Sequence, residues 1–213
     1  MPRTTTRRAR LLLVLLPTMG LTAGGWSVTT IDALPDYLVA GRATTLGFVV
    51  RGHGEAPIEG LRPRVEARSG AALVTAIVPA GPRDGHYAAP IELPRAGEWS
   101  ITLHSGLGRE RVDLDPIAVV APGARAPAPF PDAERGRRLF TAKGCVTCHV
   151  RLDVGPRLTG RRYDPAWLAR FLEHPQQVRP APAGRPQMPR LGLDAREIAA
   201  LVAYVNTGTV ASR

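Results

Sequence analysis

The sequence predicts two domains of different class, an all-β sandwich followed by an all-α domain, and three observations lead there. Residues 27–120 hold short runs of β-branched and aromatic residues separated by Gly, Pro and Asp turn signals. Residues 132–207 carry apolar side chains at helical spacing, with start signals ahead of the runs. Between them, residues 121–132 read Ala-Pro-Gly-Ala-Arg-Ala-Pro-Ala-Pro-Phe-Pro-Asp, which favours extended polyproline backbone and makes a semi-rigid spacer. The expected organisation is a leader over 1–25, a β domain over 26–121, a linker over 122–131 and a helical domain over 132–213.

Arg3, Arg7, Arg8 and Arg10 head the chain with no acid among the first ten residues. Leu11 to Ala23 is apolar but broken by Pro17, and Gly24 and Gly25 follow. A basic head, a short apolar segment and a small-residue exit read as a secretory signal peptide, with Thr6-Arg7-Arg8 a weak hint of the twin-arginine type. An uncleaved anchor is the alternative, although the segment falls short of the ~20 apolar residues a span needs. Export to a periplasmic or other extracytoplasmic space is expected. Membrane association would come only through an uncleaved N-terminus or a membrane complex.

In the β domain the best strands are Ser27–Ile31, Thr45–Arg51, Arg64–Arg68, Leu73–Val78, His86–Leu93, Glu98–His104 and Glu110–Val120. Trp99, Ile101 and Leu103 alternate with Ser100 and Thr102, as a half-buried strand requires. Gly52, Gly54, Gly70, Gly81-Pro82, Asp84-Gly85 and Gly106 supply turns. Seven short strands without a helical stripe predict an Ig-like β-sandwich, which must stand on packing because no cysteine precedes residue 145.

In the helical domain, Asp132 is expected to cap a helix running to about Lys143. Asp164-Pro165 is a cap followed by proline at the first helical position, ahead of a stripe of Trp167, Leu168, Phe171 and Leu172 that Pro175 ends. Asp194 and Glu197 form a capping-box pattern before Ile198, Leu201, Val202 and Val205, and Gly208 supplies a stop. So few large side chains make a thin core, so something else should fill it.

The formal charge of +10 is uneven: residues 26–125 carry −1 and residues 126–213 carry +7. A nucleic-acid-binding surface would not partition in this way in an exported chain, so no nucleic acid is expected.

Cys145-Val146-Thr147-Cys148-His149 carries the chemistry. Two thiols three residues apart on a helical turn suit thioether bonds to the two vinyl groups of one haem, with the adjacent histidine beneath the iron. A thioredoxin-like pair would need a strand–helix–strand setting, a zinc site lacks its other ligands, and a disulfide gives no role to His149. One covalently bound haem c is therefore expected, and its apolar faces would supply the missing core. Of three methionines, Met1 and Met19 leave with the leader, so Met188 is the candidate sixth ligand, held in a loop with Pro175, Pro180, Pro182, Pro186 and Pro189. His174 is the competing ligand.

On these motifs, residues 132–208 resemble a class I cytochrome c domain. Gly136 and Phe140 stand where that family packs its first helix against its last, near Leu201 and Tyr204. Gly155-Pro156-Arg157-Leu158-Thr159-Gly160 is similar to the loop after the haem motif, and the resemblance implies that the Pro156 carbonyl accepts a hydrogen bond from His149. Met188-Pro189 is similar to the distal ligand and its proline. The resemblance makes Tyr163 and Trp167 candidates to line the haem and Arg161 or Arg162 to meet a propionate, with a core or surface role as the alternative. Gly85-His86-Tyr87 and Pro94-Arg95-Ala96-Gly97-Glu98-Trp99 resemble periplasmic Ig-like domains of the YtkA/FixH type.

The function expected is a one-electron carrier of the cell envelope with no catalytic residues, steered by its basic haem domain towards redox partners with acidic docking surfaces. A haem enzyme or gas sensor with an open distal site is a rival. In another, the β domain is the working part, an adaptor or copper-binding module on His53, His86 or His104 within an oxidase or reductase complex. Blue-copper and binuclear centres lack their Cys and Met ligands there.

Overall fold

The computed structural model describes residues 25–79 and 85–210, so the leader expected over 1–25 lies almost wholly outside the described residues. Among the described residues ten strands come first. They are β1 (Ser27–Ile31), β2 (Tyr37–Val39), β3 (Thr44–Gly52), β4 (Ala56–Pro57), β5 (Arg64–Ser69), β6 (Ala72–Ile77), β7 (His86–Ile91), β8 (Gly97–His104), β9 (Arg111–Asp113) and β10 (Ile117–Val120). One sheet is built on β3, which pairs antiparallel with β1, β4 and β7. The other runs β2-β10-β8-β5-β6, with β9 beside β8.

The two sheets share a core. Leu46, Phe48 and Val50 alternate inward on β3, and Trp99, Ile101 and Leu103 do so on β8. Phe48 stacks on Tyr87 with ring centroids 5.6 Å apart. The polar ends of the buried aromatics are satisfied: Tyr87 Oη donates to the Ile58 carbonyl at 2.8 Å and Trp99 Nε1 to the Arg95 carbonyl at 3.1 Å.

The helices follow: α1 (Asp132–Ala142), a π-helical turn (Thr147–Arg151), α2 (Pro165–Glu173), α3 (Pro175–Val178) and α4 (Ala195–Val205). Asp164 caps α2 by accepting from the Trp167 amide at 2.7 Å. Asp194 and Glu197 close a reciprocal capping box on α4. Pro131, not Asp132, is the cap residue of α1, and Asp132 sits in its first turn. Among the described residues no helix is long and apolar enough to cross a membrane.

The expected fold class needs correction. In place of an Ig-like all-β domain and an all-α domain of class I cytochrome c fold, the structure is mostly β at its N-terminal side with a small helical C-terminal part, about 23% helical overall. Proline explains much of this. Residues 179–194 contain Pro180, Pro182, Pro186 and Pro189, which withhold backbone donors, and no helix forms there. On the β side, β2 pairs parallel with β10, a pairing that a meander of hairpins does not supply. The run expected over Glu110–Val120 is broken between β9 and β10, where Pro116 lies.

The helical part rests on the crossing of α1 and α4. Gly136 allows it: a Cβ there would lie 1.9 Å from the Ala200 carbonyl oxygen. Gly136→Ala must push the helices apart and is expected to cost about 1–3 kcal/mol, read as a lower urea midpoint.

Glu134 of α1 holds Arg137 at 2.7 Å and Arg138 at 3.1 Å, and Arg137 reaches Asp115 at 2.9 Å, tying α1 to the β9–β10 connection. Hydrogen bonding from Arg137 is the main cause that takes the Glu134 carboxyl from 4.5 down to about 2. A carboxyl lowered by folding adds stability that is complete above its unfolded value. That increment is lost as pH falls from 4.5 towards about 2. Glu134→Gln should lack this increment at neutral pH and match the parent protein at the acid end, as measured by urea melts across that range.

Candidate functional site

The haem-motif residues sit on the turn that follows α1. Cys145 and Cys148 are free, half-buried thiols. Cys148, His149 and their neighbours lie in the π-helical turn, closed by the Leu152 amide donating to the Thr147 carbonyl at 2.9 Å. Such turns are rare and frequent at functional sites. The next loop folds back on it: the Gly155 amide donates to the Cys148 carbonyl at 2.9 Å, and His149 Nδ1 lies 2.9 Å from the Pro156 carbonyl oxygen. A carbonyl only accepts, so Nδ1 carries the proton, and in the neutral ring Nε2 keeps its lone pair. Gly155 permits the approach, since a Cβ there would stand 2.8 Å from Nδ1.

Burial lowers the His149 pKa against a smaller opposing pull from Pro156, which favours the neutral, ligating imidazole. Burial also pushes the Cys145 thiol up to about 12 and raises that of Cys148. A reactive redox pair needs the opposite shift, so the thiol chemistry does not favour that rival.

Cys145, Val146 and Val150, at the turn, pack on the core of the helical part, as does an apolar set from other segments. Leu158, Tyr163, Trp167, Phe171 and Met188 are half-buried and pack on the core of the helical part, which includes Leu139, Phe140, Leu201 and Tyr204. Trp167 stacks between Tyr163 at 5.7 Å and Phe171 at 5.3 Å, and Phe140 lies 6.4 Å from the His149 ring. Partly buried apolar side chains, a thiol and a thioether gathered on one small core, with a second thiol and an imidazole in the π-helical turn, are a set that fits a flat, apolar, iron-bearing ring. Met188 belongs to this cluster. His174 sits at the α2–α3 junction, with Nε2 3.8 Å from Glu173.

Asn206, just past α4, carries no sequence signal beyond an amide at a helix end, yet it holds the site's far loop. Its side chain accepts from the Tyr163 amide at 2.8 Å and donates to the Tyr163 carbonyl at 3.1 Å. Arg162 donates to the Asn206 carbonyl at 2.8 Å, while Arg161 is exposed.

The three histidines proposed for copper are engaged separately. His53 meets Trp26 edge-on at 5.5 Å, His86 bonds Asp32 at 2.6 Å, and His104 lies 3.7 Å from Glu66. Among the described residues no group of three or more His, Cys, Asp and Glu is placed to hold a metal ion.

Residues 131–205 match the model of the family described as cytochrome c oxidase, cbb3-type, subunit III, which supports a C-terminal cytochrome c domain and a haem-binding electron carrier. No curated protein matches the chain. Among solved structures, domains 1–6 of the surface-layer protein SbsC align at 17% identity and TM-score 0.34, covering 48% of this chain and 14% of that one. A crystal structure of SbsC domains 4 and 5 aligns at 16% and 0.33, covering 46% and 47%. Superoxide reductase (neelaredoxin) from Ignicoccus hospitalis aligns at 16% and 0.30, covering 43% and 79%. These likenesses are too weak to assign a fold or a function.

Proposed function

We propose that the chain is an exported c-type cytochrome. In this reading it holds one haem c covalently through Cys145 and Cys148, with His149 and Met188 as the axial pair, and passes single electrons between partners in the cell envelope. The observation that carries this reading is the 2.9 Å contact between His149 Nδ1 and the Pro156 carbonyl, which aims a neutral imidazole with Nε2 unprotonated. When bound, the haem supplies a one-electron Fe(III)/Fe(II) couple. The protein's own part is to fix the ring with two thiols, to hold the proton on Nδ1, to offer a thioether from the proline-rich loop, and to keep water off the apolar faces. If His149 and Met188 both held the iron, no position would be left for substrate, as a pure electron carrier requires.

Partners are read from charge. Residues 126–213 carry +7, and Arg151, Arg157, Arg161 and Arg162 are exposed around the haem turn and its loop. An acidic redox partner suits this surface, and the matched family's description makes a terminal oxidase complex the natural setting. A kinship of the β half with envelope proteins of the YtkA/FixH type rests on Gly85-His86-Tyr87 and residues 94–99.

The test is stopped-flow electron exchange between the haem-loaded protein and an acidic redox protein over a range of salt. Rates that fall steeply with added salt support the reading. Rates indifferent to salt remove the acidic partner, and a protein that cannot be cycled between ferric and ferrous states removes the carrier.

A further inference from the structure

Lys143 is the only lysine of the chain, and its side chain is 1% exposed. A buried ammonium persists only where it is paired and hydrogen-bonded. Here Nζ lies 2.8 Å from Glu197 Oε1, itself 8% exposed on side-chain area, and donates to the Asp32 main-chain carbonyl at 2.7 Å. The Lys143 carbonyl accepts from Thr30 Oγ1 at 3.4 Å. Glu197 divides its two oxygens, Oε1 to Lys143 and Oε2 to the Asp194 amide that begins α4. Asp32 is held from its other side, with Oδ2 2.6 Å from His86 Nε2 on β7.

These contacts form a strut from β7 through Asp32 and Lys143 to α4. Lys143 lies two residues before Cys145, at the end of α1, so the strut meets the chain where the haem motif begins. The surroundings repeat the junction. Gly144 abuts Val28 and the Thr29 carbonyl, Ala142 is buried with the β core, Arg135 pairs with Asp36, and Arg138 donates to the Pro116 carbonyl at 2.9 Å. All five residues of β1 are buried.

We propose that Lys143 is a positioning residue that locks the haem-attachment turn onto the β half, making that half a scaffold of the haem site. The coupling of the two halves stands on the contacts alone. Its bearing on haem rests on the function proposed above.

The test uses the full chain and hydrogen exchange read peptide by peptide across urea, which needs no haem. In the parent protein, peptides from β1 and β3, from α1 through the Cys145 turn, and from α4 should lose protection at one shared midpoint. Lys143→Met should split them, the α1 and α4 peptides opening at lower urea than the β peptides. Glu197→Gln should give a smaller split of the same sense and serves if Lys143→Met does not fold. Under native conditions, with all three segments still protected, Lys143→Met should also lower the yield of covalent haem per chain, a readout that stability alone does not move. Shared midpoints in Glu197→Gln and any folded Lys143→Met protein would overturn the proposal. So would separate midpoints in the parent protein, or the same split in Arg111→Ala, a change in an exposed pair with Asp113. A parent protein that never acquires haem sinks the haem reading and leaves the split measurable.

Discussion

Replacing Cys145 and Cys148 together with alanine is expected to take covalent haem from one per chain to none. In the proposed reading each thiol anchors one side of the ring, so either single variant should keep one bond and the double variant neither. The loss reaches beyond the cofactor. Leu158, Tyr163, Trp167, Phe171 and Met188 are only partly buried on the helical core, and in the proposed reading the haem covers them. A group whose contacts form only with the folded chain stabilises the folded state. The double variant should therefore show a lower thermal midpoint than the loaded parent, with haem staining absent from a denaturing gel. A double variant that retains haem through denaturation would place the attachment elsewhere.

Met188→Ala should leave the haem attached and change its electronics. A thioether favours ferrous iron, so its removal lowers the reduction potential, by a share of the roughly 0.8 V that axial ligands span. The sulfur-to-iron band near the red end of the ferric spectrum should vanish, and added imidazole should bind at the opened position. An unchanged band and potential would assign the sixth position to another group, His174 being the one to test next.

The sequence and the structure agree where a signal is local. The strand at Ser27–Ile31, the Asp164 cap and the Asp194–Glu197 box each depend on a few neighbouring residues and can be read from them. β2 and β4 are three and two residues long and are defined by their partners, β10 and β3, so no local pattern marks them. Pro116 was visible inside the run ending at Val120, and its missing donor should have divided that strand. In the proposed site, the Cys145, Cys148 and His149 spacing can be read locally, because thioether attachment to one ring would itself set that spacing. Asn206 and Lys143 announce nothing. One acts on Tyr163 and the other on Asp32 and Glu197, through contacts between residues far apart in the chain. The proline-rich linker suggested separable halves, and the contacts of α1 with the β half lie outside any reading of the linker alone.

The central claim is that the turn from Cys145 to His149 carries one haem. The most direct measurement is the intact mass, under denaturing conditions, of the full chain made alongside haem-attachment machinery. A mass one haem above that of the polypeptide, with no thiol left to alkylate, is the predicted result. A mass equal to the polypeptide alone, with Cys145 and Cys148 both open to alkylation, would contradict it.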